Sequence, residues 1–571
     1  MTQNQKMNIG IDLGTTYTTI CRWNQNNQIP EVLRDDMGSE IVASWISLSQ
    51  MDTSGVAVGY HAKNDIYCDC VVYDAKRILG REFTQIPEIN RKFWPFEVKN
   101  DKNPYILVRN PLNTISYERF EPEEISGIIL RYMLNIFKMR SANCEIGKVV
   151  VTVPADFSHK QRKATETACR LAGIENVILM NEPSAAVLEY KRVTGNNVPV
   201  GSKILVIDFG GGTLDINCCE MKQNGEIKVV LNGGDQNLGG NDFDQAMINV
   251  IKKELYENAL IEENHYDKTE DATPLERKQQ RTRLVKLKKE AERAKIQLSK
   301  TKTCELSMEN LFSLEGDKSM DEDIFDAEIS VHRRQFEEEC ESMGLYKRAI
   351  DVISDVMKRA QFTKDNIDIV LFVGGTCLIP SVRQKLKSLF TERSTIIEDD
   401  TNYNPLTVVA QGACFHSFNN ANKQKDRYIS ETIPKTIGLE TNGGKFMPLC
   451  LAGDRLPISK NVIVKTSSPN QTSIRFNIYR GDSEYVQSPD MQFIASFAIN
   501  DIPESNEPIS FNVCLYIQED GICIVEAHSI GTKNRLSDST VCEMDLRPID
   551  EHFEQIKEHF KNFLPSQLTP K

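Results

Sequence analysis

A chain of 571 residues with 40% hydrophobic residues and 22 prolines is too long for one core and too apolar to be disordered, so two to four domains are expected. Its formal net charge of −13 argues against nucleic acid or an anionic membrane as the main partner, because the average surface would be repelled. No apolar run of ~18 residues is present to span a bilayer, and "MTQNQKMNIG" lacks the basic-then-apolar order of a secretory signal, which makes a cytoplasmic address the expectation.

In chain order, the first clear element is "NIGIDLGTTYTTI" (8–20), an apolar β-rich run that breaks at a glycine-threonine turn. "SHKQRKATETACRLAGI" (158–174) follows, with Ser158 placed to cap a helix that ends at Gly173. Lys203 to Asp215 then contains "IDFGGGTLDI", a buried strand entering a hairpin. The two glycine turns lie roughly 195 residues apart and share a pattern close to I-D-x-G-x-T, which points to two related halves facing one another. A third turn of this kind occurs in "IDIVLFVGGTCLIP" (367–380).

Between them, "RTRLVKLKKEAERAKIQLS" (281–299) is a basic helix whose apolar seam is expected to face the core. Alternating strands and helices give an α/β class. After Phe415 the composition shifts. "NNANKQKDRYISETIP" (419–434) reads as a linker, and Thr436 to Leu546 as a small all-β domain of short alternating segments. "LRPIDEHFEQIKEHFKNFL" (546–564) spaces Phe553, Ile556, Phe560 and Phe563 by three and four, predicting one amphipathic helix. The fifteen cysteines include no C-x-x-C pair, so zinc spacing is missing and free thiols are expected.

The glycine turns carry the chemistry. Without Cβ atoms, successive backbone N–H groups can close around phosphate oxygens, and adjacent threonine hydroxyls add donors. A carboxylate beside bound phosphate would repel it unless it holds Mg²⁺ and its waters. Asp12 and Asp208 fit that role.

These residues resemble the heat shock protein 70 family, the DnaK-type chaperones. "IGIDLGTTYT", "YDAKRILGR", "VVVTVPADFSHKQRKAT", "MNEPSAAVLEY", "IDFGGGTLDI", "NLGGNDFD", "EAERAKIQLS" and "VGGTCLIP" occur in that family's order. "ETIPKTIGLET" and "LPISKNVIVKTSS" resemble the start of its peptide-binding β-domain. The resemblance covers nearly the whole chain.

It implies an actin-like ATPase of two lobes, with a duplicated ribonuclease-H-like core, over 1–424. A linker at 425–435, a β-sandwich that grips extended peptide at 436–545 and a short C-terminal helix with a truncated lid at 546–571 complete the chain. The implied cofactors are ATP or ADP with Mg²⁺, and K⁺ as a further ion. Implied partners are unfolded polypeptides, a J-domain protein and a nucleotide exchange factor.

Position by position, Gly14, Thr15, Thr16 and Tyr17 match the first phosphate turn, and Gly210, Gly211, Gly212 and Thr213 the second. Asp12, Asp208 and Glu182 match the metal shell. Lys76 matches the lysine near the γ-phosphate, and Asp215 is a candidate proton acceptor. Glu292, Lys295 and Ser299 match the adenosine edge, with Gly239, Gly240, Gly374 and Gly375 in nucleotide-binding turns. Pro154 and Arg162 match an interdomain relay. Leu439, Val464, Ile474 and Phe476 match the apolar peptide pocket, with Thr441 and Asn442 on its first loop. The same four apolar residues would equally serve as a sandwich core.

The chain departs from the family in four places. Ile296 and Leu378 stand where arginines commonly stack on adenine, each loss being worth roughly 0.5–2 kcal/mol, so looser nucleotide binding is expected. Arg427, Tyr428, Ile429 and Ser430 replace an aliphatic linker, which lowers the expected apolar docking. Ile178 replaces an arginine that meets J-domain partners. The single C-terminal helix, ~25 Å long, is expected to pack on the sandwich and is too short for a multi-helix lid. The final "LTPK" is neither an acidic co-chaperone tail nor a retention signal. Two other readings stay open: a non-cycling holdase or regulator, and a small-molecule kinase on the same fold.

Overall fold

The computed structural model describes residues 5–49, 56–65, 70–110, 116–141, 144–195, 197–258, 274–313, 324–398, 403–421, 429–530 and 550–563. Two large sheets dominate the first three quarters of the chain, and they share one topology. In the first, strands Ile29–Val32, Tyr17–Asn24 and Gln5–Leu13 form an antiparallel meander that continues into the parallel strands Cys144–Val153 and Val177–Asn181. In the second, Ile227–Asp235, Leu214–Met221 and Lys203–Phe209 form the meander, followed by parallel Ile369–Val373 and Thr395–Ile397. The repeated strand order answers to the repeated glycine hairpin in the sequence.

These strands are apolar on both faces because each sheet is covered on both sides. Along Lys203–Phe209, Leu205, Ile207 and Phe209 join one core layer, while Ile204 and Val206 join the opposite one, as the two-residue strand period requires. The helix His159–Ala172 starts as its sequence predicts. Ser158 accepts from Gln161 N in a reciprocal capping box, and Gly173 ends the helix in the left-handed region at φ 93°. The basic helix Pro274–Leu298 buries Leu284, Leu287, Ala291, Ala294 and Leu298, so its seam is indeed core and its buried cations are paired internally.

Two smaller sheets follow. One has the order Lys445–Cys450, Ile437–Thr441, Ile474–Arg480, Gln492–Ile499, and the other Ile458–Lys465, Ser510–Ile517, Cys523–Ile530. Their inward residues share a single core. Between the large and small sheets, Ile429–Ser430 adds as a parallel edge strand to Ile227–Asp235. Arg427 and Tyr428 of the expected linker lie outside the described residues. Ile429 and Ser430 are therefore held by ladder pairing, with the Ile429 side chain packed against the core that contains Ile227 and Val229.

The C-terminal helix Asp550–Phe563 differs from expectation in where it lies. Phe553, Ile556 and Phe560 are buried in the core of the first half rather than on the small sheets. The Arg170 guanidinium lies 3.9 Å over the Phe553 ring. Phe560 fits where Gly127 leaves room, 3.2 Å from the place a Cβ would take. His559 Nδ1 pairs with Glu124 Oε1 at 2.7 Å. A groove beside the helix Pro122–Arg140 accepts the aromatic stripe, which fixes the packing partner by shape and charge. Among the described residues, no helix is long and apolar enough to cross a membrane.

Candidate functional site

The two glycine hairpins meet face to face between the large sheets. A Cβ on Gly211 would stand 2.0 Å from Thr16 Oγ1, and one on Gly212 would stand 2.4 Å from Thr15 Oγ1. Only glycine lets the turns approach this closely. Their backbone amides therefore line one narrow space beside the start of helix Gly240–Glu257, a favourable setting for an anion. That helix is tied to the second turn, with Gly240 N donating to Gly210 O at 2.9 Å and Asn241 N to Gly211 O at 2.8 Å.

Carboxylates ring the base of this space. Asp12 ends the first strand and accepts from Thr152 Oγ1 at 2.9 Å. Asp208 and Asp215 stand opposite one another on the second hairpin. Asp215 Oδ1 accepts from Ala155 N at 2.9 Å, while its Oδ2 is buried without a hydrogen-bond partner among the described residues. Glu182 opens the helix Glu182–Val193. Among the described residues, Lys76 is the cation paired with them. Lys76, in the turn Ala75–Arg77, donates to Leu13 O at 2.6 Å and to Glu182 Oε1 at 2.5 Å.

Four carboxylates against one lysine leave the site short of positive charge. Burial, then Glu182, push the Asp12 carboxyl up to about 7, and the same causes push Asp215 up to about 7. Burial, Glu182, Asp215 and Asp12 raise Asp208 well above the ordinary range. A divalent cation would relieve this crowding. No group of three or more acidic, histidine or cysteine side chains is arranged to hold a metal among the described residues.

The expected adenosine edge lies on helix Pro274–Leu298 and is strongly paired. Glu292 accepts from Tyr17 OH at 2.5 Å and from Lys63 Nζ at 2.7 Å, joining the two halves. Burial works against its charge, but Lys63, Lys288 and Lys295 hold its carboxyl below the usual value. Lys295 donates to Asp244 at 2.7 Å and to Gly240 O at 3.0 Å. Ser299 turns its hydroxyl back onto Lys295 O at 3.0 Å. Gly374 and Gly375 follow strand Ile369–Val373, and Thr376 Oγ1 ties that turn to Gly210 O at 2.8 Å. Ile296 is 46% exposed and Leu378 half-buried.

Spacing alone did not single out Lys63, Asp74, Arg77, Asn241, Asp244 or Lys288. Arg77 reaches Asp242 at 2.8 Å and Gly212 O at 3.2 Å, and its signal was available beside Lys76 in "DAKR". The others act through contacts distant in sequence.

At the joint with the small sheets, Pro154 O accepts from Phe157 N at 3.1 Å. Buried Arg162 donates to Asn181 Oδ1 at 2.7 Å and to Asp520 O at 3.1 Å. Asn181 Nδ2 passes the connection to Glu431 Oε2 of the linker at 2.8 Å. Asn181 directly precedes Glu182. Arg480 Nη2 donates to Asp156 O at 3.2 Å, and Cys523 N donates to His159 Nδ1 at 3.0 Å. Half-buried Ile178 lines the cavity of about 410 Å³ at this joint.

Of the expected peptide pocket, Leu439, Ile474 and Phe476 lie in the core of the small sheets, with Phe476 stacked on Phe497 at 4.9 Å. Val464 is partly buried, Thr441 Oγ1 donates to Lys445 O at 3.1 Å in the turn, and Asn442 is exposed.

The two glycine turns, the four carboxylates and Lys76 are thus brought together between the large sheets. Comparison with known proteins agrees in kind. Residues 8–562 match the family described as Hsp70 protein. Heat shock cognate 70 kDa protein 3 of Dictyostelium discoideum is 30% identical over 541 residues, covering 92% of this chain and 78% of that protein. The chain belongs to the Hsp70 family, a family of chaperones whose members are generally ATPases.

Proposed function

We propose that this protein is an ATP-hydrolysing chaperone, with an actin-like nucleotide domain at 1–424, a linker at 425–435, a peptide-binding sandwich at 436–545 and a helical remnant of a lid at 546–571. The observation that carries the reading is the Lys76–Glu182 pair, set between two phosphate turns and beside Asp12, Asp208 and Asp215. Mg²⁺, when bound, offsets the phosphate charge and orders water around it. Lys76, anchored at two points, is placed to stabilise charge developing in phosphoryl transfer. Asp215, whose carboxyl also meets Thr213, is the proposed acceptor for the proton of the attacking water. Thr15, Thr16 and Thr213 supply hydroxyls, and the backbone of Gly210 to Gly212 supplies amide donors. Gly239, Gly240, Gly374, Gly375, Glu292, Lys295 and Ser299 form the nucleoside side.

Coupling to the sandwich is supported by the hydrogen-bonded path from Glu182's neighbour Asn181 to Arg162, Asp520 and Glu431. Extended apolar segments of unfolded proteins are the proposed clients. Val464, Thr441 and Asn442 would be the accessible part of that site over a floor of Leu439, Ile474 and Phe476. A J-domain protein and an exchange factor are the proposed regulators.

A second reading is a holdase or regulator with weak or uncoupled ATPase. It is favoured by Ile296 and Leu378 and by Ser299, whose hydroxyl is spent on its own helix. The deciding experiment is the release rate of a fluorescent apolar peptide in ADP and in ATP. Faster release in ATP supports the coupled cycle, and equal rates favour the holdase.

A further inference from the structure

One neutral side chain joins the two halves above the phosphate turns. Asp74 sits in the left-handed region, with φ 59°, at the head of the turn that carries Lys76. Its Oδ2 accepts from Trp94 Nε1 at 3.3 Å, and its Oδ1 accepts from Asn241 Nδ2 at 2.7 Å. The other end of the same amide accepts: Asn241 Oδ1 takes Lys288 Nζ at 3.0 Å and Thr16 Oγ1 at 3.4 Å. Lys288 is held in turn by Asp244 at 2.5 Å. Asn241 thus connects the Lys76 turn and the first phosphate turn of one half to the helices Gly240–Glu257 and Pro274–Leu298 of the other.

The residue type is demanding. An aliphatic side chain would leave buried Asp74 Oδ1 without its donor. A carboxylate would satisfy Lys288 but face Asp74 with like charge. The Asn241 amide donates to Asp74 and accepts from Lys288 at once. The neighbouring bridges, Lys63 to Glu292 and Arg77 to Asp242, are ionic.

We propose that Asn241 is the latch that sets how long nucleotide stays in the cleft, a positioning residue that holds the halves closed. The inference rests on the reading that the cleft binds adenine nucleotide. Lys76 has its own anchors, Leu13 O and Glu182, so opening the latch changes residence and leaves the chemical step in place.

The test is Asn241→Asp in the full chain. This change keeps size and the acceptor for Lys288, removes the donor to Asp74 and sets a second carboxylate against it. Release of a fluorescent ADP should quicken about tenfold, the scale of one charge-assisted hydrogen bond. Hydrolysis of pre-bound ATP in a single turnover should stay within about twofold, and Trp94 emission in the ADP state should shift, a change absent in a Trp94→Phe background. Adding Asp74→Asn restores a complementary pair with reversed polarity and should return release toward wild type. Asp74→Asn alone, which keeps both amides, should show a smaller acceleration and serves if the first variant does not fold. Unaltered ADP release in the variants, with wild type binding ADP by calorimetry, would overturn the latch alone. No ADP binding by wild type would sink the nucleotide reading and the latch with it.

Discussion

Asp208 and Asp215 occupy one register position on opposite strands of the second hairpin, so two buried carboxylates face each other, with Lys76 offsetting part of their charge. Like charges placed directly across a sheet destabilise it. Asp208→Asn should therefore raise Tm in nucleotide-free protein by a few °C while abolishing hydrolysis. An unchanged or lower Tm by scanning calorimetry would mean the crowding is already relieved in the free protein.

Lys76 is the only ammonium hydrogen-bonded to Glu182 among the described residues. Lys76→Ala should cut single-turnover hydrolysis by about 10²-fold or more, with ADP still bound by calorimetry. Unchanged turnover would remove Lys76 from the mechanism.

Ile296 is 46% exposed where the proposed nucleotide reading puts the base. Ile296→Arg should tighten ATP and ADP about twofold to thirtyfold, the range of one cation–π contact. Sub-micromolar dissociation constants in the wild type would contradict the looseness expected from this position.

The C-terminal helix should respond to pH through His559. Its hydrogen bond to Glu124 raises the imidazole above its ordinary 6.5, with Glu124, Glu118 and Glu121 adding attraction against burial. The Glu124 carboxyl is itself raised by burial, against the pull of His559. His559 is raised in the folded state, so its contribution to docking is complete below about 6.5 and is lost as pH climbs through its folded value, while the raised Glu124 carboxyl adds a contribution of the same sign that is complete only below about 4.5. Hydrogen exchange of residues 550–563 should be slower at pH 6 than at pH 8.5, with the difference flattened in His559→Gln. Equal protection at both values would separate the docking from this pair.

Local signals carried much of this structure into the sequence. The hairpins around "IDLG" and "IDFG" announce themselves by apolar strands, glycine and aspartate, and the helix from His159 by Ser158, Gln161 and Gly173. Family resemblance then assigned roles that spacing could not, such as those of Lys76 and Glu182, and the structure brings these two together. What stayed hidden is non-local. The stripe of Phe553, Ile556 and Phe560 says that a face is buried but not against what. Asn241 acquires its meaning from Asp74 and Lys288, both far away in the chain. Helical spacing puts Ser299 on the face of Glu292 and Lys295, yet cannot tell whether its hydroxyl turns to a ligand or to its own backbone. Leu439, Ile474 and Phe476 were equally fit for pocket and core, since both need apolar side chains, and they lie in the core.

The seating of Phe553, Ile556 and Phe560 in the first half also sets an order on biosynthesis. The helix Asp550–Phe563, made long after the first half, completes that half's surface. At ~5–20 residues per second, the groove beside Gly127 waits on the order of tens of seconds with its apolar floor uncovered. A nascent chain of this protein carries an uncovered apolar groove during that interval. A stop codon placed anywhere before Phe553 would leave that condition permanent.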